Sequence, residues 1–195
     1  MKQFNPNVIL AVFLIFIGAV GRIALQDYPN VETIMVVTFI AAVYIRQWYA
    51  LLVPITAMVI SDLVMGNLAM SSQFSKILFF TYTGFLFVAL VSRHHRTFFR
   101  QNASSLDWAS ITNTSMFGIV FVLVFDLWTN VGAFLLMYPH TLDGLFLCYT
   151  MAIPFMLSHL VSGAVTFAAI VAPVSHILGN DHRLTSPAPS PIAES

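Results

Sequence analysis

The chain has 195 residues, of which 58% are hydrophobic and 8% charged, with a formal net charge of zero. At a mean hydropathy of +0.85, and against the roughly 25% charge of soluble domains, a soluble fold of this size cannot hide so much apolar surface. The chain is therefore expected in a lipid bilayer, without the basic footprint of a nucleic-acid binder, and its one cysteine, Cys148, excludes an internal disulfide and a multi-cysteine metal cluster.

A spanning helix needs about 20 mainly apolar residues, within a range of roughly 17–25. The first candidate is Val8–Leu25, read as a retained helix because no small-residue cleavage site leads from it into a soluble domain. The second, Thr33–Ile45, is short and must borrow flanking residues. The third, Tyr49–Met65, carries Pro54, which a membrane helix tolerates when neighbours satisfy the freed carbonyl. The fourth is Ile77–Val91 and the fifth Ser110–Met137. The sixth, Leu145–Val171, contains Pro154, where a kink is expected. The fold expected is an all-α integral membrane protein with about six transmembrane helices in one bundle, covering residues 1–173. Residues 174–195, ending in "RLTSPAPSPIAES", are polar, Pro/Ser-rich and expected to form a disordered cytoplasmic tail.

Lysine and arginine set the orientation. With the N-terminus inside, the inner segments hold Lys2, Arg46, Arg93, Arg96, Arg100 and Arg183, and the outer ones only Arg22 and Lys76. Both termini are thus expected in the cytoplasm, at the cell membrane.

The intramembrane polar residues then gather on the outer half: Arg22 ends the first helix, Asp62 ends the third, Asp126 and Asn130 lie late in the fifth, and His159 lies in the sixth. Asp126 and Asn130, four apart, share one helix face. A charge at the membrane centre costs roughly 2.5–3.5 kcal/mol on insertion scales, so such residues normally face a bundle interior or a polar cavity. An outward-facing cavity that captures a solute is one explanation. The plainer ones stand beside it: Asp62 paired with Arg22 or Lys76, Asn130 bonded to a neighbouring helix, His159 as an interhelical donor, and Trp128 and Tyr138 as interfacial aromatics. Asp126, flanked by apolar residues on both sides, is the hardest to explain structurally.

Small residues at Ala164, Ala168 and Ala172, and at Gly18, Gly21 and Ala24, mark helix contacts. The basic stretch "SRHHRTFFRQ" on the inner side suits anionic lipid heads or a partner subunit, although topology alone accounts for its charge. The sequence has no G-x-x-x-x-G-K-[ST], H-E-x-x-H or G-x-S-x-G motif, and Ser158 and His159 are adjacent on a helix and point apart, so no enzyme activity is expected.

Three stretches, "GRIAL…YPN" at 21–30, "LLVPITAMVISDLVMG" at 51–66 and "TNVGAFLLMYPHTLDGLFLCYTMAIPF" at 129–155, resemble an uncharacterised membrane family of energy-coupling-factor (ECF) transporter S components. The matching positions include Arg22, Pro29, Asn30, Asp62, Asn130, Tyr138, Pro139, Gly144, Tyr149 and Pro154, and Asp126 falls just before the matched "TN". The small-residue scaffold motif of the first helix is partial, Ala11 being followed by Ile15. The resemblance implies a subunit that captures a vitamin-like small molecule and works with a membrane scaffold subunit and cytoplasmic ATPases. It implies no cofactor and no resident metal, and a loop, Gln26–Glu32, that covers the ligand. The substrate-binding set expected is Arg22, Asn30, Asp62, Asp126, Asn130, Tyr149 and His159, with Tyr149 and Trp128 stacking on a planar ligand. A non-transporting structural or assembly subunit is the alternative. Metal uptake through Asp62, His140, Asp143 and His159 is a third reading.

Overall fold

The computed structural model describes residues 5–28, 33–67, 72–103 and 105–180. Among them all regular structure is helical, with no strand: α1 (Pro6–Ala24), α2 (Thr33–Tyr44), a 3-10 turn at Trp48–Leu51, α3 (Leu52–Met65), α4 (Ser72–His94), α5 (Arg96–Ala103), α6 (Trp108–Met137), α7 (Leu142–Thr166), a π-helical turn at Phe167–Val171, and α8 (Ala172–Gly179). Five helical stretches are long and apolar enough to cross a bilayer: Pro6–Ala24, Trp48–Met65, Lys76–His94, Trp108–Met137 and Leu142–Gly179. Their outer faces keep large apolar side chains exposed, such as Phe13 and Phe16 on α1 and Phe155 and Val161 on α7. Water would not tolerate such continuous apolar faces, whereas lipid does. The protein is a helical membrane protein.

The short second element occupies the centre instead of the rim. Every residue of α2 from Ile34 to Tyr44 is buried. At 1.5 Å per residue its 12 residues extend about 18 Å, short of the roughly 30 Å hydrocarbon thickness. Neighbouring helices therefore replace lipid around it. Phe39 is its hub, with the rings of Phe99 and Phe167 both 5.4 Å away and that of Phe121 at 5.9 Å. Edge-on and tilted geometries of this kind suit the aromatic quadrupole. At the end of α2 the Tyr44 hydroxyl donates to the Ser175 carbonyl (3.2 Å), tying it to α8.

Local sequence explains the helix ends. Asn5 caps α1, its side chain accepting from the Asn7 N–H (3.0 Å), and Pro6 sits at the first position, where no N–H is needed. Gly66 closes α3 with φ +75°, a left-handed conformation that a glycine adopts without strain. Pro54 falls in the first turn of α3, where its missing N–H deprives no carbonyl inside the helix. α7 continues through Pro154. The irregularity in this last span comes at the π turn, after which Pro173 stands in the opening turn of α8 and the helix runs to Gly179, six residues past the boundary expected at 173. Residues 181–195, most of the expected tail, lie outside the described residues.

The basic stretch on the inner side contains a helix, α5, whose Phe99 and Ala103 are buried while Thr97 and Phe98 stay exposed. Phe99 reaches Phe39 and Phe117, anchoring α5 on the core. Several serine and threonine hydroxyls inside the spans return to their own helix, as Thr38 does to Ile34 O (2.6 Å) and Thr114 to Ser110 O (2.7 Å). The hydroxyls of Ser92, Ser162 and Ser175, in contrast, are buried without a hydrogen-bond partner.

Candidate functional site

Among the described residues two acidic groups are buried in the bundle, and their surroundings differ. Asp62 is fully buried near the end of α3. Its Oδ1 accepts from Arg22 Nη1 (2.5 Å) on α1 and from Asn67 Nδ2 (2.9 Å), and its Oδ2 from the Tyr82 hydroxyl (2.9 Å) on α4. Arg22 also donates to Ser61 Oγ (2.7 Å), which donates in turn to Met58 O (3.0 Å). Three helices are thus stapled by one carboxylate with both oxygens engaged. A buried ion pair recovers its desolvation cost only when further hydrogen bonds complete it, as they do here. Tyr82 was not evident as a partner from sequence. The signal is a lone phenol in "FTYTG", mid-helix and at the depth of the acid.

Asp126 lies on α6, about 16 Å by helical rise from the Met137 end, and is 7% exposed. His159 on α7 donates from Nδ1 to Asp126 Oδ1 at 2.7 Å. Asp126 Oδ2, in contrast, is buried without a hydrogen-bond partner. Leaving a buried acceptor unsatisfied costs about 1–3 kcal/mol, and more for a charged group. This is the opposite arrangement to Asp62.

Asp126 lines a cleft of about 390 Å³ between α6 and α7, with Asn130, Tyr138, Cys148, Met151 and Phe155 among its walls. Asn130 turns its Nδ2 to the Asp126 carbonyl (2.7 Å), and the Cys148 thiol donates to Asn130 O (3.6 Å). The cleft therefore combines one carboxylate with a largely apolar, methionine-bearing wall. Chemically it suits a compact solute that offers a cationic or N–H/O–H group to Asp126 and an apolar flank to Met151 and Phe155. Methionine adapts to irregular shapes.

α6 and α7 approach closely next to this pair. A Cβ on Gly118 would meet Gly163 O at 2.6 Å and the Phe167 ring at 2.7 Å, so only glycine fits there. The sequence-level small-residue stripe on this helix, Ala164, Ala168 and Ala172, misses this contact by one residue, since Gly163 is what meets α6. The glycines expected on α1 do serve contacts: Gly18 abuts Val37 and Ala57, and Gly21 abuts Thr33.

The seven residues expected to form one binding set are distributed over separate places. Arg22 and Asp62 form the α1–α3–α4 staple. Asp126, Asn130 and His159 stay together at the α6–α7 cleft. Tyr149 donates its hydroxyl to Leu127 O (3.0 Å), and Trp128 donates from Nε1 to Thr83 Oγ1 (3.0 Å). These two aromatics line a different, apolar groove between α4 and α6. Asn30, with most of the expected covering loop, lies outside the described residues. Among the described residues no group of three or more His, Cys, Asp or Glu side chains converges to hold a metal ion. His140 bonds the backbone at Leu135 (3.0 Å).

The chain belongs to a family of unknown function, DUF6580, whose model matches residues 2–186. No curated protein and no solved structure matches it.

Proposed function

We propose that this membrane protein captures a small solute in the α6–α7 cleft and acts as the substrate-binding subunit of an uptake transporter of the energy-coupling-factor type. In this reading the chain is not an enzyme. It resides in the cell membrane with both termini cytoplasmic, α2 completing the sixth passage between its neighbours, and it delivers its solute through a separate scaffold and ATPases. The observation that carries the reading is Asp126: a buried carboxylate whose Oδ2 has no hydrogen-bond partner, in the wall of a cleft of about 390 Å³. A solute donor placed against Oδ2 would recover the cost of leaving that oxygen bare. The one-sided basic distribution, with Arg46, Arg93, Arg96 and Arg100 at the opposite end from Arg22, supports the orientation.

The weight of recognition therefore moves from Arg22 and Asp62, which are committed to each other, to Asp126, with Asn130 and His159 around it. The saturated Arg22–Asp62–Tyr82 network favours a second reading, a structural or assembly subunit whose polar groups serve packing alone. Mass spectrometry of small molecules released from gently purified protein separates the two. Solute capture requires a discrete polar molecule retained at near-stoichiometric amount. An empty protein, with none retained when it is purified directly from native membranes, sinks that reading in favour of the second.

A further inference from the structure

Two further cavities lie away from the Asp126 cleft, and they share a wall residue. One is an apolar groove of about 760 Å³ between α4 and α6, walled by Thr83, Phe87 and Leu90 on one side and Leu127, Trp128 and Val131 on the other. The other is a basic pocket of about 710 Å³ formed by Arg46, Arg93, His94 and Arg96 together with Leu90. Leu90 belongs to both walls. The juxtaposition follows from helical spacing: Thr83, Phe87, Leu90 and His94 recur every three or four residues, so they form one stripe along α4. That stripe is apolar for its first part and basic at its end.

The polar atoms inside the groove are already engaged. Thr83 Oγ1 donates to Phe79 O (2.7 Å) and accepts from Trp128 Nε1, and the Tyr149 hydroxyl is spent on Leu127 O. The groove thus presents hydrocarbon, with Phe87 and Leu90 both about half exposed, at 53% and 48%. Among the described residues neither cavity has a carboxylate in its wall. In the basic pocket Arg93 has a structural task, donating from Nη1 to Gln47 O (3.0 Å) and from Nη2 to Arg46 O (2.6 Å), which fixes the α2–α3 link against the end of α4. Its charge remains beside that of Arg96, so like charges are held together, with no carboxylate among the described residues of the pocket wall. A doubly liganded phosphate is the natural complement of such a cluster.

We propose that the groove and the pocket together form a binding site for one anionic phospholipid of the leaflet on that side, its phosphate held by Arg96 and His94 over the Arg93 platform and one acyl chain laid along Thr83–Leu90. Basic pockets between membrane helices hold lipid headgroups in this manner. Charge complementarity selects the headgroup and the contiguous apolar stripe selects a lipid over a soluble phosphate. The site is independent of the solute reading, since it shares no wall residue with the Asp126 cleft.

Native mass spectrometry of the detergent-solubilised full chain tests it, using phosphatidylglycerol and phosphatidylcholine of identical acyl chains. One phosphatidylglycerol should be retained at least fivefold more strongly than phosphatidylcholine. The preference should fall at least fivefold in the His94→Gln/Arg96→Gln double variant, and retention should fall in Leu90→Trp, which fills the junction at a half-exposed position. Asp126→Asn should retain the lipid unchanged. If the double variant fails to fold, Leu90→Trp alone decides. Equal retention of both lipids, or undiminished retention in the folded variants, overturns the proposal. So does displacement of the lipid by millimolar inorganic phosphate, which would make the pocket a site for free anions.

Discussion

Asp126 and His159 meet across α6 and α7, the imidazole Nδ1–H donating to the carboxylate Oδ1 at 2.7 Å while the second carboxylate oxygen stays buried without a hydrogen-bond partner. A second buried acid, Asp62, has both oxygens bonded, to Arg22, Asn67 and Tyr82. One carboxylate is complete and the other is not, and this difference separates a structural staple from a candidate recognition group.

Removing Arg22 should therefore cost stability. Arg22→Ala leaves Asp62 buried with only neutral donors, and a charge so stranded costs about 3–5 kcal/mol in a fully buried pair. The Arg22 side chain is 25% exposed, so a loss at or below the low end of that range is expected, read as a lower thermal midpoint in detergent. Tyr82→Phe, which removes a bond to a charged acceptor, should cost about 1.5–3 kcal/mol. The two losses should fail to add, because they share one carboxylate. Additive losses would show that the two bonds do not act as one network.

The centre of the bundle is held by Phe39, fully buried among the rings of Phe99, Phe121 and Phe167. Phe39→Ala should cost about 3–5 kcal/mol, the range for emptying a buried aromatic site. Phe39→Leu should recover most of it. An equal exchange at Phe98, which is 52% exposed, should change the midpoint little.

At the α6–α7 crossing, Gly118→Ala places a methyl within 2.6 Å of the Gly163 carbonyl oxygen. Backbone on one side and a packed ring on the other give it no room, so the helices must part, at a cost of about 1–3 kcal/mol for overpacking. The same parting should loosen the Asp126–His159 bond and widen the cleft. Faster maleimide labelling of Cys148, which is 2% exposed, should report it. Unchanged stability and labelling would show that the crossing tolerates the methyl.

Much of this organisation was legible in the sequence along one dimension, depth. Hydropathy located the spans, and topology ranked polar residues by level, which brought Arg22 near Asp62 and Asp126 near His159. Depth does not say which helices are neighbours. Tyr149 and Trp128 were placed with Asp126 by level, yet they lie toward α4: Trp128 is two residues from Asp126 on α6, and Tyr149 is one residue from the cleft's Cys148 on α7, and residues one or two apart on a helix face different sides. Hydropathy also cannot separate an apolar helix clothed in lipid from one clothed in protein, which is why α2 reads like its neighbours and turns out central. α5 was missed because its apolar contribution to the core rests on Phe99 and Ala103 within a basic stretch.

The most direct measurement is retention of the co-purifying solute, quantified by mass spectrometry, in wild type, Asp126→Asn and Tyr82→Phe protein prepared identically. Asn keeps the size of Asp126 but replaces one acceptor oxygen by a donor and removes the charge. The expected result is at least a tenfold loss of bound solute in Asp126→Asn at a thermal midpoint that shows the protein folded, with retention kept in Tyr82→Phe despite its lower midpoint. Equal solute in folded Asp126→Asn and wild-type protein would contradict recognition by Asp126 and remove the α6–α7 cleft as the capture site.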